Sequence, residues 1–133
     1  MAIVLTNKQS ESLFFDALCN CVGTGYIGAH GIALIYDKNE YDKAKAELTA
    51  KATEAVCYEA ILMQVLRNGG TMYLEDVENN GAENSNPIHL TDVHNRVKKA
   101  PLIALNRCLM ERGDASDYDS ILQYVFYKEV IFG

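Results

Sequence analysis

Residues 53–68, TEAVCYEAILMQVLRN, constrain the fold more than any other stretch of this chain. At about 100° per residue, Ala55, Tyr58, Ile61, Leu62, Val65 and Leu66 fall on one broad helical face. Ala52, Val56, Ala60 and Met63 add an apolar flank and leave Cys57, Gln64 and Arg67 as a narrow polar margin. A helix that apolar must be covered on most sides, so the rest of the chain reads as its cover. Asn68-Gly69-Gly70 closes it, since glycine takes the left-handed conformation of a helix C-terminus without a steric penalty.

Upstream, Asp37 followed by Glu40 has the spacing of a capping box, with aspartate in place of the usual Ser or Thr. Residues 40–51 are charged and alanine-rich, with good helix propensity and little apolar face. Thr49 and Thr53 mark a break point, so 37–68 reads as one long helix or as two joined at a bend. Two would make the more compact domain.

The remaining elements are read around this segment. Residues 2–6 suit a buried strand through Ile3, Val4 and Leu5. Ser10 or Ser12 can cap a helix whose Phe14, Leu18, Cys21 and Val22 share a face, with Gly23 stopping it. Residues 32–36 and 71–77 read as strands, and Asn80-Gly81 is the turn signal of a polar loop over 78–86 that returns through Pro87, Ile88, His89 and Leu90 as a hairpin partner. Thr91 is placed as N-cap of a helix over 92–99, and Pro101 as the first residue of a helix to about 111 that ends at Gly113. Ser116 is placed as cap of a last helix with Tyr118, Ile121, Leu122, Val125 and Phe126 on one face, and the apolar end 130–132 as docked on the body. The expected architecture is α+β, a single globular domain over 1–133, with about five helices around the central segment 37–68 and a small sheet of three or four short strands.

At 133 residues, with 49% hydrophobic and 23% charged, the chain can build a core without metal or disulfide staples. Apolar runs fall well short of the roughly 20 residues of a membrane helix, and the first seven residues lack both a basic region and a long apolar one, so a cytoplasmic protein with no membrane partner is expected. In such a compartment Cys19, Cys21, Cys57 and Cys108 read as thiols rather than a disulfide framework. The net charge of −6 repels nucleic acid and anionic membrane and would suit a basic partner, including another protein's nucleic-acid-binding site.

Several patterns could carry chemistry. Gly23-Thr24-Gly25-Tyr26-Ile27-Gly28 is a literal G-x-G-x-x-G, but a helix precedes it and a strand follows. A dinucleotide site needs the reverse order, which aims a helix N-terminus at the pyrophosphate. The stretch 23–31 is therefore read as a glycine-rich connection, or as a loop over a small ligand or nucleotide with Thr24, Gly25, Tyr26, Gly28 and His30 as contacts. Cys19 and Cys21, two apart on a helix, point about 200° away from each other, and distant cysteines would have to complete a zinc tetrahedron with them and His30. Asp76 to Gly81 resembles the start of an EF-hand loop, but the bidentate glutamate expected at its twelfth position is Pro87. No metal or other cofactor is expected.

His89 and His94 have no nucleophile or carboxylate beside them in a recognised catalytic spacing, and no nucleophile elbow, phosphate loop or H-E-x-x-H occurs. Asn95, Arg96, Lys98 and Lys99, with Arg107 and Arg112 beyond Pro101, form the one basic concentration, a nucleic-acid candidate within helices 92–112. Tyr124 and Tyr127 point away from the core face of the last helix and, with the acidic loop of Asp76, Glu78 and Glu83, form a candidate partner surface. The leading expectation is a small non-enzymatic interaction protein that binds a macromolecule or itself. Accessory proteins of phages and mobile elements, such as inhibitors of host defence, are the class expectation.

Overall fold

The computed structural model describes residues 4–131. Thr6 opens the first helix, α1 (Asn7–Cys21): its hydroxyl accepts from the Gln9 N–H at 3.1 Å, and the Gln9 carbonyl oxygen accepts from the Thr6 N–H at 2.9 Å. The helix thus starts ahead of both serines expected to cap it, and Ser10 is buried inside it. Residues 4–6 form no strand, and the beginning of the strand expected over 2–6 lies outside the described residues.

The segment 37–68 is two helices. Asp37 caps α2 (Lys38–Lys51) by accepting from the Glu40 N–H at 2.9 Å, and α3 spans Tyr58–Arg67. Residues 52–57 between them are not helical, and Ala55, expected on the core face, and Ala52, expected on its apolar flank, are exposed. Thr53 and Val56 are β-branched and favour extended backbone, which moves the start of α3 to Tyr58. Gly69, at φ +87°, closes α3, with the N–H groups of Gly69 and Gly70 bonded to the carbonyls of Leu66 and Val65 at 3.0 and 2.9 Å.

Strands β1 (Ile32–Tyr36) and β2 (Met72–Asp76) pair antiparallel, Ile32 opposite Asp76 and Tyr36 opposite Met72. No third or fourth strand occurs among the described residues; the expected return shrinks to one bridge, Met72 to Ile88. The Leu74 N–H then donates to Ser85 Oγ and its carbonyl accepts from the Ser85 N–H, each at 2.9 Å. Two steps along β2 therefore match three along the return, a bulge that holds Pro87, which has no N–H for a ladder.

Helices α4 (Leu90–Val97), α5 (Leu102–Leu109) and α6 (Ala115–Tyr127) follow. The caps are His89, Pro101 and Asp114, so Thr91 and Ser116 lie inside their helices and Pro101 stands just before the first turn of α5 rather than in it. Carboxylates decide two of these starts: Asp92 accepts from the His89 N–H at 2.8 Å, and Asp117 and Asp114 accept from each other's N–H at 3.1 and 3.0 Å. The Ile131 N–H donates to Gln123 Oε1 at 2.8 Å, tying the end of the described chain to α6, while Phe132 lies outside the described residues.

The protein is an α+β fold of six helices and a two-stranded sheet among the described residues. Its hub is α1, which packs against α3, α4 and α6. Phe14, Ala17, Leu18 and Cys21 meet Leu62, Leu66, Val93, Leu122 and Phe126 there, all fully or almost fully buried. By contrast α2 buries only Ala44, against Ile61 and Val65 of α3. No helix among the described residues is long and apolar enough to cross a membrane.

Candidate functional site

The glycine stretch leaves α1 through a turn and a single 3-10 turn, Ile27–His30, before β1. Thr24 spends its hydroxyl on the Asn20 carbonyl at 2.6 Å, and Tyr26 meets His30 in a tilted ring contact with ring centres 5.3 Å apart. Gly25 and Gly28 have open space around their Cα atoms, whereas Gly31, at φ +73°, lies under the Glu78 side chain. Of the five expected ligand contacts, His30 lines a cavity with Ile27, Ile32, Leu74, Asp119, Leu122 and Gln123. At about 10 Å³ this cavity has room for one water molecule and no more.

Asp119 and Gln123 are the polar groups there that the sequence pattern hid. They sit one turn apart inside the apolar face of α6, with Gln123 Nε2 donating to Asp119 Oδ2 at 2.6 Å. Burial raises the Asp119 carboxyl above its usual range, and the Gln123 bond offsets this only in part.

The candidate partner surface around the last helix is divided: Glu78 and Glu83 are exposed, and the other three residues turn partly or wholly inward. Tyr124 and Tyr127 are half-buried and pack on the main core, so the exposure expected of them does not occur. Asp76 is 1% exposed because β2 alternates and turns Met72, Leu74 and Asp76 to the same inner side. Its backbone N–H donates to Asn84 Oδ1 at 2.7 Å, its Oδ1 accepts from the Asn79 N–H at 3.2 Å, and its Oδ2 is buried without a hydrogen bond. The fold does bring Tyr127 near Asp76 and Glu83: desolvation and these two charges push the phenol up to about 12. Asn80 and Gly81, at φ +54° and +83°, form the expected turn. Among the described residues no group of three or more His, Cys, Asp or Glu side chains could hold a metal ion.

Of the nucleic-acid candidates on the basic helices, Arg96 is bound within the molecule. Arg96 pairs with Asp92 at 3.1 Å and donates to the Val125 carbonyl at 2.8 Å, which docks α4 on α6. His94 Nε2 lies 2.8 Å from Glu11 Oε2, and Arg67 holds Glu11 Oε1 at 3.2 Å. Desolvation would raise the Glu11 carboxyl, but the bonds from His94 and Arg67 outweigh it and hold the group below its usual value. Asn95, Lys98 and Lys99 remain exposed. The cysteines are free: burial pushes Cys21 up to about 12 and Cys19 and Cys108 up to about 11, while Cys57 is exposed before α3.

Among the described residues, the apolar helix face left in solvent is on α5. Ala104, Leu105 and Cys108 point inward; opposite them Ile103 is 69% and Met110 62% exposed, with Leu102 at 46% and Leu109 at 39% along one margin. Ile103 and Met110 are seven residues apart, as are Leu102 and Leu109, so the four form two parallel rows, with Asn106 between Ile103 and Met110 on the central one. The signal was in the sequence: residues 102–110 are apolar around nearly the whole helix, more than one covered face requires. No protein-family model matches the chain, and no curated protein or solved structure is significantly similar to it.

Proposed function

We propose that this chain is a small non-enzymatic interaction protein whose contact surface is the outer face of α5. The exposed rows of Ile103 with Met110 and Leu102 with Leu109 support this reading. Ordinary surfaces scatter single apolar side chains, whereas a patch of this kind, rimmed by Lys98, Lys99, Arg107 and Glu111, has the composition of a contact centre with a polar rim. This moves the contact surface away from Tyr124, Tyr127 and the acidic loop. An accessory protein of a phage or mobile element, such as a host-defence inhibitor, would work in this way, by occupying a surface rather than by turning over a substrate.

The one-water cavity beside His30 weighs against a ligand site under the glycine stretch, and the internal pairing of Arg96 weighs against nucleic-acid binding through α4. The test is affinity capture from native lysate with the intact protein and with Ile103→Glu. Loss of the captured species on substitution is the expected result. The same species recovered in equal amount from both would remove α5 from the reading.

A further inference from the structure

Resting on that reading, we infer that the partner of the α5 face is the same face of a second copy of this chain, the two helices running antiparallel about a two-fold axis between Asn106 and Arg107. The apolar rows are self-complementary under that operation. A register that sets Ile103 against Met110 of the second copy necessarily sets Met110 against its Ile103, and Asn106 against its Arg107, an amide oxygen facing a guanidinium donor.

Charge selects the antiparallel arrangement. The N-terminal end of the face carries the exposed Lys98 and Lys99, while its C-terminal end carries the exposed Glu111 and Asp114 together with Arg112. Beside that acidic end a groove of about 290 Å³ between α1 and α5 is lined by Ser12, Asp16, Leu109, Glu111 and Tyr118 among others. Asp16 and Glu111 repel each other there; burial and then Glu111 raise the Asp16 carboxyl above its usual range. At this end Asp16, Glu111, Asp114 and Asp117 thus outnumber the guanidiniums of Arg107 and Arg112. Antiparallel pairing brings two lysines of the second copy to each acidic end; parallel pairing would set like ends together.

Size sets the strength. An eight-residue helix is about 12 Å long, and its apolar face is of the order of a few hundred Å², less than the roughly 800 Å² per partner of a standard stable interface. The dimer is therefore reversible, with dissociation in the micromolar range and weakening as salt screens its ends.

Sedimentation velocity from low micromolar to submillimolar protein tests this, with each variant's unfolding midpoint as the control for folding. The expected result is a shift from one chain mass to two, at least tenfold weaker in Ile103→Glu at an unchanged midpoint. Lys99→Glu weakens the dimer and Glu111→Lys added to it restores it. In a Cys57→Ser background under a glutathione redox buffer, Ile103→Cys mixed with Met110→Cys forms an interchain disulfide, whereas Ile103→Cys alone does not. Pairing insensitive to Ile103→Glu, or an Ile103→Cys chain that links efficiently to itself, overturns the arrangement. A chain that stays monomeric throughout yet loses a captured protein in Ile103→Glu overturns the pairing and leaves the interaction reading standing; one that neither pairs nor captures through α5 removes both.

Discussion

Helices α3 and α5 are built from similar material and end differently placed. Both are short, both are apolar around most of their circumference, and each carries one arginine in its last turn. Yet Ile61, Leu62, Met63, Val65 and Leu66 of α3 are all buried, while Leu102, Ile103, Leu109 and Met110 stand in water. The difference lies in what flanks them. α3 is roofed by α2 on one side and seated on α1 on the other, whereas α5 packs chiefly on α6 and has nothing across its outer face among the described residues. An all-round apolar helix thus asks for cover, and the sequence alone does not say whether this molecule or another supplies it.

Truncation is the largest break in that symmetry. Leu62→Ala removes a side chain with no exposure in the main core and should cost about 3 kcal/mol in urea unfolding at low protein concentration. Ile103→Ala, the same kind of change in an equally apolar helix, should stay within about 0.5 kcal/mol for the monomer. A large loss at Ile103 in dilute solution would mean that α5 is covered within its own chain.

The legibility of the fold follows the same line. Where burial and local pattern agree, as in β1, the body and C-terminal end of α3 and the Asn80-Gly81 turn, the elements read directly from the sequence. Helix starts were misread where several capping residues compete. Thr6, Ser10 and Ser12 are all chemically fit, and the choice fell to Gln9, which reaches back to Thr6. Asp92 and Asp117 act likewise and move the starts of α4 and α6 ahead of Thr91 and Ser116. Asp76 falls within the expected strand 71–77, but its charge groups it with the acidic partner surface and masks its inward place in the alternation of β2. Polarity and aromatic character mark candidate contacts in a sequence, yet Tyr26, Asp76, Arg96, Tyr124 and Tyr127 spend theirs within the fold. The α5 face is hidden in the sequence because a leucine-rich helix reads as core until its neighbours are known.

The arginines sharpen the contrast next. Arg67 of α3 shares Glu11 with His94, whereas Arg107 of α5 reaches Asp117 at 3.4 Å from a side chain 57% exposed. Glu11→Gln should cost about 1.5 kcal/mol near neutral pH, and Arg107→Gln less than about 0.5 kcal/mol. Glu11 also gives the first loss a pH signature. Its folded value is depressed, so between the folded and unfolded values the unfolded state binds more protons. Its stabilisation is complete well above the unfolded value of about 4.3 and fades as pH falls through the folded one. Thermal unfolding followed from neutral to acid pH should therefore show a flatter acid limb in Glu11→Gln than in the parent, and no such flattening in Arg107→Gln. Parallel curves for Glu11→Gln and the parent would remove the clamp from the account.

The helix ends carry the smallest and cleanest difference. Both close with the same pair of bonds: Gly70 to Val65 and Gly69 to Leu66 after α3, and Arg112 to Arg107 at 2.7 Å and Glu111 to Cys108 at 3.2 Å after α5. The left-handed position is glycine in one and glutamate in the other, Gly69 at φ +87° and Glu111 at φ +57°. Gly113, expected to stop α5, instead provides clearance, since a Cβ there would stand 2.6 Å from Cys108 Sγ. A Cβ at Gly69 meets nothing within 4 Å, so Gly69→Ala tests backbone strain alone and should cost about 1 kcal/mol. Glu111→Gly should run the other way, stabilising the monomer by about 0.5 kcal/mol as the strain is released, while weakening the α5 pairing through the lost carboxylate. Unfolding at low protein concentration and sedimentation at high concentration would then move in opposite directions for one substitution. If instead Glu111→Gly destabilised the dilute monomer, the glutamate would be holding the fold itself, and the acidic end of α5 would owe its residue to its own chain rather than to a second copy.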